Sequence, residues 1–191
     1  MPLDARLKAF ISACDELAES GADACQCVAA AAPLMLELAA CGGNLLAEDH
    51  KRDDPAGYAR NAIHVGAADG VSLFALVWRP GQWTPVHDHG TWGVVGVLAG
   101  VLEERNYLPA GNGTGNPDKI DLLPGGIALL SPGAVSTFVP NPDHIHMTGV
   151  PADRETAVSL HLYGRLMNNY HYYDLQNRCR RLVDVAHFES D

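Results

Sequence analysis

The sequence predicts a mainly β fold, a sandwich or barrel, entered through a pair of N-terminal helices. Three observations predict it. From Tyr58 onward, short runs rich in Val, Ile, Leu, Phe and Tyr alternate with Gly, Pro and Asp at near-regular spacing. Upstream of them, apolar residues recur at spacings of three and four, the period of an amphipathic helix. A chain of 191 residues that is 47% hydrophobic can bury one core and would be cramped for two. Residues 1–191 are therefore expected to form one domain, with helices within 1–46 and the barrel over 58–191.

In the first helix Leu7, Phe10, Ile11, Cys14 and Leu17 make one apolar stripe, and Ser20-Gly21 ends it. A second helix is expected from about Asp23 to Ala40, stopped by Gly42-Gly43. Both helices are expected to pack on the β domain. The acidic stretch Glu48–Asp54 reads as a linker. Strands are expected over Ala62–Val65, Val71–Trp78, Gly93–Leu98, Val101–Leu108, Ile127–Leu130, Thr156–Tyr163 and Tyr170–Leu175. Ala110–Asp118 is a surface loop by composition.

Composition narrows the partners. A formal net charge of −10 argues against nucleic acid or an anionic membrane, which both demand a basic face. No apolar run approaches the length of a membrane span, and the N-terminus lacks the pattern of an export signal. The five cysteines, an odd count without a C-x-x-C pair, are expected to be reduced thiols of a cytoplasmic protein. A monomer is the default expectation.

The segment Gly81–Gly100 (G-Q-W-T-P-V-H-D-H-G-T-W-G-V-V-G-V-L-A-G) carries the most chemistry. His87 and His89 stand two apart, and on an extended strand such residues project from one face, so both imidazoles can reach one ion. Imidazole suits iron, zinc, copper and nickel alike. Two surface histidines beside a turn is the plainer alternative. A further ligand would come from a later strand, with His144, His146, His161 and His171 as candidates.

The segment resembles the first motif of the cupin superfamily, G-x5-H-x-H-x(3,4)-E-x6-G. Gly81, His87, His89 and Gly100 match, and Gly93 stands where most cupins carry a ligating glutamate. Three-histidine cupins of this kind include the thiol dioxygenases, and P-V-H-D-H-G-T-W-G is similar to bacterial members of the cysteine dioxygenase family. The resemblance implies a double-stranded β-helix (jelly-roll) barrel. Gly126, Pro132 and Gly133 fit the opening of the second motif, and Ser159-Leu160-His161-Leu162-Tyr163 fits the family's Ser-x-His-x-Tyr strand. In that family the last ligand precedes the strand's histidine by fifteen positions, which from His161 reaches His146 and leaves His144 in reserve.

Ser159, His161 and Tyr163 alternate with Val158, Leu160 and Leu162, so the polar row shares one face of a strand. It reads either as a hydrogen-bonded support or as a relay in which Ser159 fixes His161 and His161 orients the Tyr163 hydroxyl. The resemblance implies the second, catalytic role. Tyr58-Ala59-Arg60-Asn61 looks like the family's Y-x-R-N, whose arginine grips the substrate carboxylate; a planar guanidinium suits that task. In related 3-mercaptopropionate enzymes an arginine about nine residues after the Ser-His-Tyr strand does this instead, and here Tyr170–Tyr173 offers none. No cysteine stands near Gly93, so a Cys–Tyr cross-link is not expected.

The resemblance thus implies iron(II) on His87, His89 and His146, with a small carboxylated thiol and O2 as reactants and a sulfinic acid as product. L-cysteine is the first expectation for the thiol, with 3-mercaptopropionate and mercaptosuccinate as alternatives. The rival readings are a non-catalytic cupin that binds a metal or metabolite, and a metal-dependent isomerase or oxygenase acting on a non-thiol.

Overall fold

The computed structural model describes residues 3–67, 70–111, 118–140 and 144–189. Helix α1 (Ala5–Glu19) starts at Asp4, whose carboxylate accepts from the Arg6 amide. Helix α2 (Ala24–Ala39) starts with a reciprocal cap. The Asp23 carboxylate accepts from the Gln26 amide and the Gln26 side chain accepts from the Asp23 amide, each at 2.9 Å. Such a cap contributes about 1 kcal/mol. The expected linker starts as a 3-10 turn (Glu48–His50), and the Arg52 carbonyl is tied to the barrel by the Asn61 amide.

Ten strands follow among the described residues: β1 (Ala59–Val65), β2 (Ser72–Trp78), β3 (Gly93–Ala99), β4 (Leu102–Pro109), β5 (Leu122–Leu130), β6 (Val135–Phe138), β7 (Ile145–Gly149), β8 (Ala157–Tyr163), β9 (Asn169–Asp174) and β10 (Cys179–Asp184). One antiparallel sheet has the order β1-β2-β8-β3-β6. Opposite it stand β5-β4-β7 and β10-β9. The segment around His87 joins those two pieces, because His87 bridges His146 on β7 and Tyr172 on β9. The result is the double-stranded β-helix of the cupins behind two N-terminal helices.

Alternation along the central strands sorts two cores. Leu73, Ala75, Val94, Leu98, Leu160 and Leu162 face outward, where Leu7, Phe10, Cys14, Ala31 and Met35 of the helices cover them. Phe74, Leu76, Trp78, Val95, Val97 and Tyr163 face into the barrel. Burying a Leu or Phe of the helices against this sheet contributes about 1.5–3 kcal/mol each, which is what holds the helices on. No helix among the described residues is long and apolar enough to cross a membrane.

Several expectations need correction. Strands β6, β7 and β10 are additional, β1 begins at Ala59, and β5 begins at Leu122. The Pro124-Gly125-Gly126 stretch lies within β5 beside a register shift of β4 between Arg105 and Tyr107. Gly125 fits there because a Cβ would stand 3.1 Å from the Asn106 carbonyl oxygen. His87 and His89 are not on a regular strand: His87 makes isolated bridges and His89 has no strand pairing. Most of the Ala110–Asp118 loop, residues 112–117, lies outside the described residues.

Candidate metal centre

The segment carrying the histidine pair is clamped from both sides. The His87 amide donates to the His146 carbonyl at 2.8 Å, and the His146 amide returns a bond to the His87 carbonyl at 3.0 Å. Between the two histidines, the buried Asp88 carboxylate accepts from the His171 amide (3.0 Å), His171 Nδ1 (2.9 Å) and the Tyr173 hydroxyl (2.8 Å). The Arg165 guanidinium donates to the His89 carbonyl at 3.0 Å. Irregular backbone thus acquires a fixed shape through side chains some eighty positions away.

This clamp brings three imidazoles together. The ring centroids of His87 and His89 lie 4.8 Å apart, those of His87 and His146 also 4.8 Å, and those of His89 and His146 4.9 Å. One ring nitrogen from each falls within 4.8 Å of the others, and all three residues are buried. His87 Nδ1 donates to the Pro85 carbonyl at 3.0 Å, which leaves Nε2 with its lone pair. Burial, followed by the neighbouring imidazoles, holds the His87 and His89 pKa well below the usual histidine range. His146 is lowered as well, again chiefly by burial. Three neutral, buried nitrogen donors in a compact triangle, with His89 Nδ1 left without a partner, are suited to a transition-metal ion.

His144 lies elsewhere. Its Nε2 stands 2.6 Å from Asn106 Oδ1 and 3.4 Å from Glu104 Oε1, behind His146. Glu104, His144 and His146 form a second cluster that could hold a cation, so His146 belongs to both groups.

The missing glutamate has a structural cause at Gly93. A Cβ there would stand 2.6 Å from Phe138 Cε2 and 2.8 Å from the Leu162 carbonyl oxygen. Phe138 fills that space and stacks on His89, with ring centroids 4.0 Å apart. An apolar ring therefore occupies the side of the triangle where a carboxylate would enter.

The triangle opens on a narrow cavity of about 20 Å³, lined also by Tyr58, Arg60, Trp78, His161, Tyr163 and Tyr170. The Ser159-His161-Tyr163 row forms one continuous chain of hydrogen bonds. Trp78 Nε1 donates to Ser159 Oγ at 3.0 Å, Ser159 Oγ lies 2.8 Å from His161 Nε2, and Tyr163 Oη lies 3.2 Å from His161 Nδ1. The indole can only donate. One proton arrangement that satisfies every member has Ser159 donating to Nε2 and His161 carrying its proton on Nδ1. That proton is donated to Tyr163, whose O–H remains to point into the cavity. Burial, then nearby His146 and Arg60, push the His161 pKa down to about 3, so His161 stays neutral. Burial likewise raises the Tyr163 phenol, which keeps its proton.

Arg60 is 7% exposed, so it is not the solvated charge that a strand-start arginine usually is. Its guanidinium donates to the Met167 carbonyl at 2.6 Å and the Ala186 carbonyl at 3.4 Å, and lies 4.7 Å from the centre of the Phe74 ring. Among the described residues no carboxylate pairs with it. Tyr58 stacks on Trp78, with ring centroids 4.7 Å apart. The structure therefore gathers His87, His89, His146, Arg60, Tyr58, His161 and Tyr163 around one cavity, with Ser159 directly behind. Sequence reasoning missed Trp78, Asp88, Glu104 and Arg165. Each acts on a site residue from a distant strand or from within a motif read only for its histidines.

The model of the family described as cysteine dioxygenase type I matches residues 47–176. The chain belongs to the cysteine dioxygenase type I family. The match takes in both histidine segments, the Arg60 strand and the Ser159-His161-Tyr163 row, and leaves out helices α1 and α2. Among solved structures, a protein with a double-stranded β-helix domain from Klebsiella pneumoniae is 14% identical, covers 75% of this chain and 93% of its own, and has a TM-score of 0.48. A cupin-like protein from Thermotoga maritima is 17% identical over 62% of this chain and 79% of its own, with a TM-score of 0.41. An oxalate oxidase is 18% identical over 74% and 63%, with a TM-score of 0.44.

Proposed function

We propose that this chain is an iron(II)-dependent thiol dioxygenase that converts a small carboxylated thiol, L-cysteine before others, and O2 to the sulfinic acid. The observation that carries the reading is the cavity itself: three neutral imidazoles converge on one wall and a buried guanidinium without a counter-ion waits on another. His87, His89 and His146 would hold the ion. When bound, iron supplies a meeting point for thiolate and O2 and a path around the spin barrier of O2 chemistry. Both oxygen atoms end on sulfur, and no external reductant is consumed.

The remaining roles fall to the chain's own groups. Arg60 would bind the carboxylate through its planar fork in a charge-assisted pair, giving up its long 3.4 Å contact to the Ala186 carbonyl. Tyr163 would donate its free O–H to oxygen or to the carboxylate, with His161 and Ser159 holding it in place. Tyr58, Trp78 and Tyr170 would exclude water from the pocket.

The cavity also supports a choice of substrate. Among the described residues Arg60 is its single cation and no carboxylate lines it. One carboxylate is matched; the second carboxylate of mercaptosuccinate would enter without a partner. The amine of cysteine would enter unprotonated, since an ammonium finds no counter-charge. The alternative, 3-mercaptopropionate, lacks that amine and satisfies the same pocket. Anaerobic loading of the full chain with Fe(II), followed by O2 uptake with each of the three thiols, tests the proposal. Uptake is expected with L-cysteine or 3-mercaptopropionate, at a one-to-one ratio of O2 to sulfinate. Equal rates with and without thiol would overturn it.

A further inference from the structure

The proposed metal triangle lacks the carboxylate that cupins usually place on the ion, yet the barrel buries a carboxylate close by. Glu104 on β4 has its side chain 8% exposed and points inward beside β7. Its Oε2 lies 3.2 Å from His146 Nδ1, and its Oε1 lies 3.4 Å from His144 Nε2. The Asn106 amide donates to Oε1 at 3.3 Å while its own oxygen stands 2.6 Å from His144 Nε2. Among the described residues no lysine or arginine pairs with Glu104. Its neighbour Arg105 turns outward to Glu103.

A buried carboxylate with no lysine or arginine beside it is costly unless another positive charge stands near. The nearest place for such a charge is the far side of the His146 ring. Metal-bound imidazoles commonly donate their second N–H to a carboxylate, which fixes the ring and raises its basicity. The approach of Nδ1 to Oε2 has an ion-pair distance without the alignment of a finished hydrogen bond, and Nδ1 has no other partner.

We propose that Glu104 is a positioning residue of the metal site: its carboxylate acts through His146 and replaces, one bond further out, the glutamate that Gly93 lacks. Phe138 closes the direct route to the ion, and Glu104 supplies the negative charge from behind. The inference rests on the metal-site reading above. His144 and Asn106 hold the other carboxylate oxygen and keep Oε2 turned towards His146.

The test uses the full chain, freed of metal, and Zn(II) as a redox-silent probe titrated in competition with a chromophoric chelator. The parent is expected to take up one equivalent. Glu104→Gln, nearly the same in shape, is expected to bind about ten- to a hundredfold more weakly, the usual effect of losing such a partner. Melting of the metal-free variant reports whether it folds. Parent-like affinity in a folded Glu104→Gln protein would overturn the role of Glu104 while leaving the metal site standing. A parent that binds no zinc would overturn both. His87→Ala is expected to abolish uptake; one equivalent retained there would put the ion on Glu104, His144 and His146 and overturn the proposal. If Glu104→Gln does not fold, nitrogen-labelled histidine in the zinc-loaded parent decides. A strongly downfield proton on His146 Nδ1 is expected, and an unprotonated Nδ1 would overturn the assignment.

Discussion

Restoring a side chain at Gly93 should unfold more than it repairs. In Gly93→Ala the new methyl group would stand 2.6 Å from Phe138 Cε2 and 2.8 Å from the Leu162 carbonyl oxygen. Neither neighbour can yield easily. Phe138 is stacked on His89 at 4.0 Å, and Leu162 is paired on both sides, to Leu73 of β2 and Val94 of β3. Overpacking costs about 1–3 kcal/mol, and a clash against paired backbone belongs at the upper end, about 3 kcal/mol. For a chain of this size each kcal/mol lowers Tm by about 2–4 °C, so a fall of about 6–12 °C is expected. Phe138→Ala alone should cost about 3–5 kcal/mol as a cavity. The double variant loses the ring clash and should therefore fall short of the sum by at least about 1 kcal/mol. Urea unfolding of the four metal-free proteins measures this. A Gly93→Ala protein melting within about 1 °C of the parent, or strict additivity, would refute the packing account of the missing glutamate.

Three further outcomes follow from the same geometry. Arg60→Ala should raise KM for a carboxylated thiol at least about tenfold with little change in kcat, because a buried charge pair is worth about 2–5 kcal/mol. With 2-mercaptoethylamine, which has no carboxylate, parent and variant should then behave alike; an equal penalty on both thiols would remove Arg60 from substrate binding. Trp78→Phe takes away the donor to Ser159, frees the serine to rotate and should lower kcat about fivefold through loss of about 1 kcal/mol of orientation, with KM unchanged. Parent-like kcat would break the relay at its first member. The metal-free protein should lose stability as pH falls below about 6.5. His87, His89, His146 and His161 have folded pKa values lowered by burial, so the unfolded chain binds more protons below that point. Each can contribute up to about 1.4 kcal/mol per pH unit, and a flat urea midpoint between pH 7 and 5.5 would contradict the burial.

The helices were legible because their signals are local: the three-and-four spacing of Leu7, Phe10 and Cys14, and the Gly42-Gly43 stop. So were the strands whose apolar runs are continuous, such as Ser72–Trp78 and Ala157–Tyr163. Strand β6 is four residues of Val-Ser-Thr-Phe after a Pro-Gly turn, too short to carry a period. Strand β10 (Cys-Arg-Arg-Leu-Val-Asp) is half-exposed and has little apolar pattern to read. The histidine triangle was legible in its residues and not in its setting. What fixes His87 and His89 is Asp88 reaching Tyr173, Arg165 reaching the His89 carbonyl, and Phe138 lying where Gly93 leaves room. Those contacts join residues that are remote in sequence, and no local period announces them. Arg60 shows the same limit: its type marks it as a carboxylate binder, but only the fold shows that it is buried and has no counter-ion.

The central claim is that one ion sits on His87, His89 and His146, and metal content measures it most directly. Full-length protein, stripped and reloaded anaerobically with one equivalent of Fe(II), should retain one iron per chain after desalting. His87→Ala and His146→Ala should retain almost none, and neither should support thiol-dependent O2 uptake, whereas His144→Ala should retain iron. Iron held at parent level by His146→Ala, or lost from His144→Ala while His87→Ala keeps it, would contradict the account.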